Sequence, residues 1–223
     1  MIRAVLFDMD GVLFDTENLG FQAMQEIAGD MGYQTDRAFY VSTLGVPNAE
    51  CKHIYHRALG DAFPYERFME RFRAYFMAYN KAHTMPFKPG LLDTLAGLKA
   101  RGLRLALATS TVRPLVMDYF ARMPEVGQHF DVTVCGGEVP HGKPAPDIYL
   151  AAARAVDCDP ADCLGVEDSF FGVQAIRAAG ACCVMIPDML PYDERFAPYV
   201  DHRLHSLHDL CPLVDALNAA EPA

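Results

Sequence analysis

The stretch Val5-Leu6-Phe7-Asp8-Met9-Asp10-Gly11-Val12-Leu13 joins an apolar run to two carboxylates spaced one residue apart and a glycine. Carboxylates this close repel each other unless a cation or a proton lies between them. The pair therefore suits a divalent-metal site, a shared proton, or a division of labour between a nucleophile and a general acid/base. Alternation along a strand sends both side chains toward the same side of the chain. A solvated Asp-x-Asp-Gly turn is the competing reading, since both residue types are common in turns.

Further apolar runs also end in polar residues. Ala106-Leu107-Ala108 leads into Thr109-Ser110-Thr111, whose hydroxyls could cap a helix or donate to a phosphate. Gly165-Val166 leads into Glu167-Asp168-Ser169. These acids could also be a helix cap, but with Asp8 and Asp10 in the same sheet they complete an oxygen-ligand set of the kind magnesium prefers. Lys143, within Gly142-Lys143-Pro144-Ala145-Pro146-Asp147, is the natural counter-charge for four carboxylates. Gly137 to Lys143 also fits the spacing of a nucleotide-binding phosphate loop. There Pro144 stands in place of the magnesium-binding hydroxyl and Pro140 removes a backbone N–H, so that reading is set aside.

The elements that position these residues follow from hydrophobic periodicity. Apolar residues Phe21, Met24, Ile27, Ala28 and Met31 recur at helical spacing, and further helices are expected near 47–59 and 64–80. Phe68, Phe72, Tyr75, Phe76 and Tyr79 form a stripe along the last of these, read as core. Pro86-Phe87-Lys88-Pro89-Gly90 is a turn-rich connector. Beyond it strands are expected near 103–108, 130–134, 163–166 and 181–186, alternating with helices near 91–101, 112–122, 147–156, 170–179 and 207–218. The expected fold is α/β: a doubly wound, Rossmann-like parallel-sheet core of residues 1–15 and 86–223, with an all-helical domain of residues 16–85 inserted after the first strand. An insert at that point could act as a lid over the strand-end site.

Nineteen basic against 29 acidic residues give a net charge of −10, which disfavours nucleic acid and anionic membrane as partners. No apolar run approaches the length needed to span a bilayer, and the first residues lack a signal-peptide pattern. Seven cysteines, with no C-x-x-C pair, suggest free thiols in a reducing cytoplasm. His202, His205 and His208 recur every third residue and read as a polar helix flank or loop rather than a metal site.

Taken together, Asp8-Met9-Asp10-Gly11-Val12, Thr109, Lys143 and Glu167-Asp168 resemble the four motifs of the haloacid dehalogenase superfamily. The segments around Lys143 and Glu167-Asp168 are especially similar to its β-phosphoglucomutase-like sugar-phosphate phosphatases and mutases. The resemblance spans nearly the whole chain and implies a magnesium-dependent enzyme. Asp8 would attack phosphorus and Asp10 would act as acid and then base, while Thr109 and Lys143 hold the phosphoryl oxygens. Asp8, the Asp10 backbone carbonyl and Asp168 would hold Mg2+, with Glu167 orienting that shell. Thr16 would hydrogen-bond Asp10.

Asp10 argues against the superfamily's dehalogenases, and neither Lys52 nor Lys81 sits in the context of an imine-forming phosphonate hydrolase. β-Phosphoglucomutases usually carry a histidine where this chain has Gly20 and an arginine soon after the cap Gly-Val, where this chain has Pro47-Asn48. Both departures favour hydrolysis over isomerisation. The expectation is a phosphatase acting on a small phosphorylated metabolite, a sugar or sugar-acid phosphate, with a phosphosugar mutase as the alternative. A receiver-like phospho-switch module is a third reading, but the chain is too long for one. Thr16, Ser110, Asn48, Lys52 and Tyr75 are the candidate substrate contacts, and a monomer or weak homo-oligomer is expected.

Overall fold

The computed structural model describes residues 1–44, 46 and 48–220, without the side chains of Asn48 and Ala49. The candidate contact at Asn48 therefore lies outside the described residues, as do Gly45 and Pro47. By internal contacts the chain divides into Met1–Asp15 with Pro86–Ala223, and Thr16–Met85.

Strand β1 (Ala4–Phe7) comes first, followed by the helical unit: α1 (Thr16–Asp30), α2 (Arg37–Val41), α3 (Asn48–Leu59) and α4 (Tyr65–Ala82). The core resumes with α5 (Leu91–Ala100), β2 (Arg104–Val112), α6 (Arg113–Arg122), α7 (Pro124–Gly127), β3 (Val132–Gly136) and α8 (Asp147–Ala155). It continues through β4 (Cys163–Glu167), α9 (Phe170–Ala179), β5 (Cys182–Met185), β6 (His202–Arg203) and α10 (Leu210–Ala219). All six strands are parallel, in the order β3-β2-β1-β4-β5-β6. This is a doubly wound α/β sheet whose order reverses between β1 and β4.

β1 is fully buried, as a central parallel strand covered on both faces must be. Ala4 and Leu6, with Ala106 and Ala108, pack with Ile148, Tyr149 and Ala152 of α8 and Val173 and Ile176 of α9. Phe7, next in the alternation, meets Phe130 edge-on at 6.1 Å. Phe130 in turn stacks on Phe120 of α6. The two chain crossings at the edge of the core are tied together: Asp15 N donates to the Pro86 carbonyl (2.8 Å) and Lys88 N to the Leu13 carbonyl (2.9 Å).

The helical unit has an aromatic centre in which Tyr55 meets Phe39, Phe63, Tyr65 and Phe68 at 4.9–5.4 Å. Of the α4 stripe, Phe68 is fully buried, whereas Phe72, Tyr75, Phe76 and Tyr79 are half-buried. Among the described residues no helix is long and apolar enough to cross a membrane.

Some boundaries differ from the sequence expectation. β2 runs four residues past 108, through an irregularity in its pairing with β3 between Ala108 and Val112. The last helix begins at Leu210 rather than 207, which places Pro212 in its first turn, where a missing N–H costs nothing. The preceding 3₁₀ turn Leu207–Asp209 is held by a capping box between Ser206 and Asp209. The three histidines do not share a helix: His202 lies in β6, His205 in a loop and His208 in that 3₁₀ turn.

Candidate active site

Because β1 and β4 are neighbours on either side of the order reversal, their C-terminal ends deliver Asp8, Glu167 and Asp168 to one place. Asp8 N donates to the Val166 carbonyl (3.0 Å), continuing the ladder one residue past β1. The three carboxylates are at most 8% exposed, and one oxygen from each lies within 4.8 Å of the others. The turn after Asp10 is made by Gly11 at φ +76°, a conformation most side chains avoid. A Cβ there would also run into the Asp168 carboxylate.

Lys143 enters from the loop between β3 and α8. Its Nζ lies 2.5 Å from Asp8 Oδ1 and 2.7 Å from Glu167 Oε1, and 5.0 Å from the centre of the Tyr149 ring. Glu167 is heavily committed. Its Oε1 also accepts from the Tyr149 hydroxyl (3.0 Å), and its Oε2 accepts from the backbone N–H groups of Asp168 and Ser169 and from Ser169 Oγ. The same Ser169 Oγ caps α9 by accepting from Gly172 N (3.1 Å).

These contacts set the charges. Burial drives the Asp8 carboxyl up to about 8, with Glu167 and Asp10 adding to the rise and Lys143 opposing it. Burial also works against a charged Glu167, but Lys143 and the Ser169 donors outweigh it and hold the group below its ordinary range. Lys143 is kept protonated by Asp8 and Glu167 in spite of its burial. With all three carboxylates ionised, as a bound cation would hold them, the cluster and the one ammonium would carry a formal charge of −2, so the donor set fits a divalent, oxygen-preferring cation such as magnesium. No other cluster of three potential ligands occurs among the described residues.

The irregular stretch of β2 carries the hydroxyls. Thr109 is fully buried, and its Oγ1 accepts from Thr111 N (3.0 Å). Thr111 Oγ1 donates to Asp10 Oδ2 at 2.8 Å. The expected partner of Asp10 was Thr16, but the buried Thr16 hydroxyl has no hydrogen-bond partner. Thr16 is the first residue of α1, and a hydroxyl that does reach Asp10 comes from the irregular segment of β2. Ser110 is exposed, with its carbonyl against Gly136 of β3.

In the helical unit Lys52 pairs with Glu66, and Tyr75 is half-buried on α4. Sequence reasoning did not place Thr111, Tyr149 or Ser169 in the site. Thr111 sits in the hydroxyl run already singled out, and Ser169 directly follows the acidic pair, so both left a trace. Tyr149 left none beyond its helical spacing.

Residues 2–180, which include every one of these core groups, match the family described as haloacid dehalogenase-like hydrolase. The chain belongs to the haloacid dehalogenase-like hydrolases. It is an enzyme, a phosphatase-type hydrolase. Among relatives of this family, the phosphorylated carbohydrates phosphatase of Thermotoga maritima is 34% identical over 183 residues, spanning 80% of this chain and 82% of its own. The β-phosphoglucomutase of Bacillus subtilis is 31% identical over 190 residues, 82% of each chain. Among solved haloacid dehalogenase-like structures, CbbY from Rhodobacter sphaeroides in complex with phosphate has a TM-score of 0.75 at 32% identity, covering 94% of this chain and 96% of that one.

Proposed function

We propose that this chain is a magnesium-dependent phosphatase of a small phosphorylated metabolite, a sugar or sugar-acid phosphate, working through an aspartyl-phosphate on Asp8. The observation that carries the reading is the buried Asp8 carboxylate beside Lys143, Glu167 and Asp168 at the order reversal of the sheet. Ligands of open α/β sheets bind at such a point.

Asp8, Asp168 and the Asp10 backbone carbonyl would hold the cation, with Glu167 bracing Lys143 and the Asp168 backbone around it. The cation supplies charge neutralisation at the phosphoryl oxygens. A carboxylate oxygen of Asp8 attacks phosphorus, and the P–O bond to the metabolite breaks as Asp10 gives its proton to the leaving oxygen. Water then attacks phosphorus and passes its proton to Asp10 while the bond to Asp8 breaks. Atoms and charge balance over the cycle. Lys143 spends two of its three donors on Asp8 and Glu167, leaving the third for a phosphoryl oxygen. The Thr109 hydroxyl accepts from Thr111 N and keeps its own proton to donate.

Hydrolysis is favoured over isomerisation by the helical unit itself. A Cβ on Gly20 would collide with the Tyr40 hydroxyl, and that hydroxyl donates to Glu17 (2.9 Å). The space beside residue 20 is thus filled by Tyr40, with none for the histidine that the mutases resembled here carry. In this reading the helical unit is the cap that selects the substrate.

The test is release of inorganic phosphate from a panel of sugar and sugar-acid phosphates, with magnesium and with chelator, including β-glucose 1-phosphate with glucose 6-phosphate followed as a product. Magnesium-dependent release supports the phosphatase. Isomerisation without release would establish the mutase instead.

A further inference from the structure

Resting on the phosphatase reading, we propose that Thr111 is a positioning residue for Asp10: its hydroxyl holds Oδ2 and so fixes the carboxyl group that carries the transferred proton. Asp10 needs such support. It lies beyond the end of β1, is half-buried, and precedes a glycine-made turn. Thr111, distant in sequence, supplies a hydroxyl at 2.8 Å.

Thr111 is itself well anchored. Its backbone N–H donates to the fully buried Thr109 hydroxyl (3.0 Å), and its branched β-carbon restricts χ1. The pairing of β2 with β3 shifts between Ala108 and Val112, and such irregularities re-aim side chains near active sites. Gly136 makes that shift possible, because any side chain there would strike the Ser110 backbone carbonyl. One short segment therefore places Thr109 toward the phosphoryl group and Thr111 against the acid/base, so the two are held in fixed relation. A hydroxyl has one proton to give, and giving it to Oδ2 holds the Asp10 rotamer through both proton transfers.

A positioning role and a purely structural one make different predictions about the leaving group. An alkoxide must be protonated as it departs, whereas 4-nitrophenolate departs without a proton. kcat/KM reports the first transfer, to Asp8. With Thr111→Val, kcat/KM for an alkyl phosphate should fall about ten- to hundredfold, a part of what general acid catalysis supplies, and should fall far less for 4-nitrophenyl phosphate. Thr111→Ser, which keeps the hydroxyl, should restore the alkyl substrate. Equal losses for both substrates, or no loss, would overturn the assignment while leaving the phosphatase reading intact. If Thr111→Val does not fold, comparing Thr111→Ser with Thr111→Ala tests the same hydroxyl. Absence of phosphate release by the wild-type enzyme would instead defeat the phosphatase reading, and this assignment with it.

Discussion

Gly11 and Asp168 compete for one space: a side chain on residue 11 would overlap the Asp168 carboxylate, and the backbone there is left-handed at φ +76°. The glycine of the Asp-x-Asp-Gly run thus leaves room for the carboxylate cluster as well as making the turn. Gly11→Ala should cost about 1–2 kcal/mol in backbone strain alone and should push Asp168 away from Asp8. The expected result is a raised magnesium requirement, because the displaced Asp168 no longer completes the donor set, with a modest loss of melting temperature. A magnesium titration of phosphate release, run beside thermal unfolding, checks it; an unchanged metal requirement would mean that Asp168 does not hold the ion.

Asp8 and Asp10 should separate by their failures. Asp8 is buried in a place that raises its affinity for a proton, so a neutral amide fits there without a new unpaired charge. Asp8→Asn should therefore fold with little change in melting temperature and lose turnover by more than about a thousandfold, as expected for a missing nucleophile. Asp10→Asn should still accept phosphate from an activated donor and then hydrolyse it slowly. Intact-mass measurement should show a phospho-adduct in Asp10→Asn and none in Asp8→Asn. An adduct in the Asp8 variant would reassign the nucleophile.

The long elements and the carboxylates were readable because each has a local cause. β1 is a buried apolar run that ends where its carboxylates begin, and α9 is introduced by the Ser169 cap and closed by Gly180. What escaped depends on partners distant in sequence. β6 is two residues, His202 and Arg203, paired only because β5 offers an open edge. Helix α2 escaped for a different reason: it is a five-residue helix capped locally, with Phe39 N donating to the Asp36 side chain (2.7 Å), and is too short for periodicity to register. The extension of β2 to Val112 exists through its pairing with Gly136. The same irregular stretch aims Thr111 at Asp10, which is why the hydroxyl run was visible in the sequence and its target was not. Thr16, which the family resemblance pairs with Asp10, has a buried hydroxyl with no hydrogen-bond partner.

Gly20 tests the packing that argues against the mutase. Tyr40 is buried, and its hydroxyl occupies the position a residue-20 Cβ would take while bonding Glu17. Gly20→Ala should destabilise the helical unit by about 1–3 kcal/mol, as overpacking does. Gly20→Ala combined with Tyr40→Phe, which removes the offending oxygen, should recover most of that loss. Chemical denaturation of the two variants and the wild type would measure it. If Gly20→Ala alone is neutral, Tyr40 moves aside easily and the space beside residue 20 is open to a side chain after all.

Asp131 sets a pH limit on the core that is independent of catalysis. Its carboxylate accepts from Lys99 Nζ (2.8 and 3.0 Å) and from Leu105 N (2.8 Å), joining α5, β2 and the approach to β3. Burial alone would raise its pKa, but these donors prevail and hold it below the ordinary carboxylate value. A depressed native pKa means that the unfolded chain binds the proton more tightly than the folded one. The contribution is therefore fully present above the unfolded value, about 3.9, and is lost as pH falls through the lower native value. Asp131→Asn removes the charge but keeps an acceptor, so it should cost about 1–2 kcal/mol at neutral pH. The difference from wild type should shrink toward zero at the acid end of that range. Urea denaturation of both proteins from neutral pH down to about pH 3, below the unfolded carboxylate value, would show the two stability curves converging. Parallel curves throughout would mean that the Lys99 and Leu105 contacts do not favour the charged form.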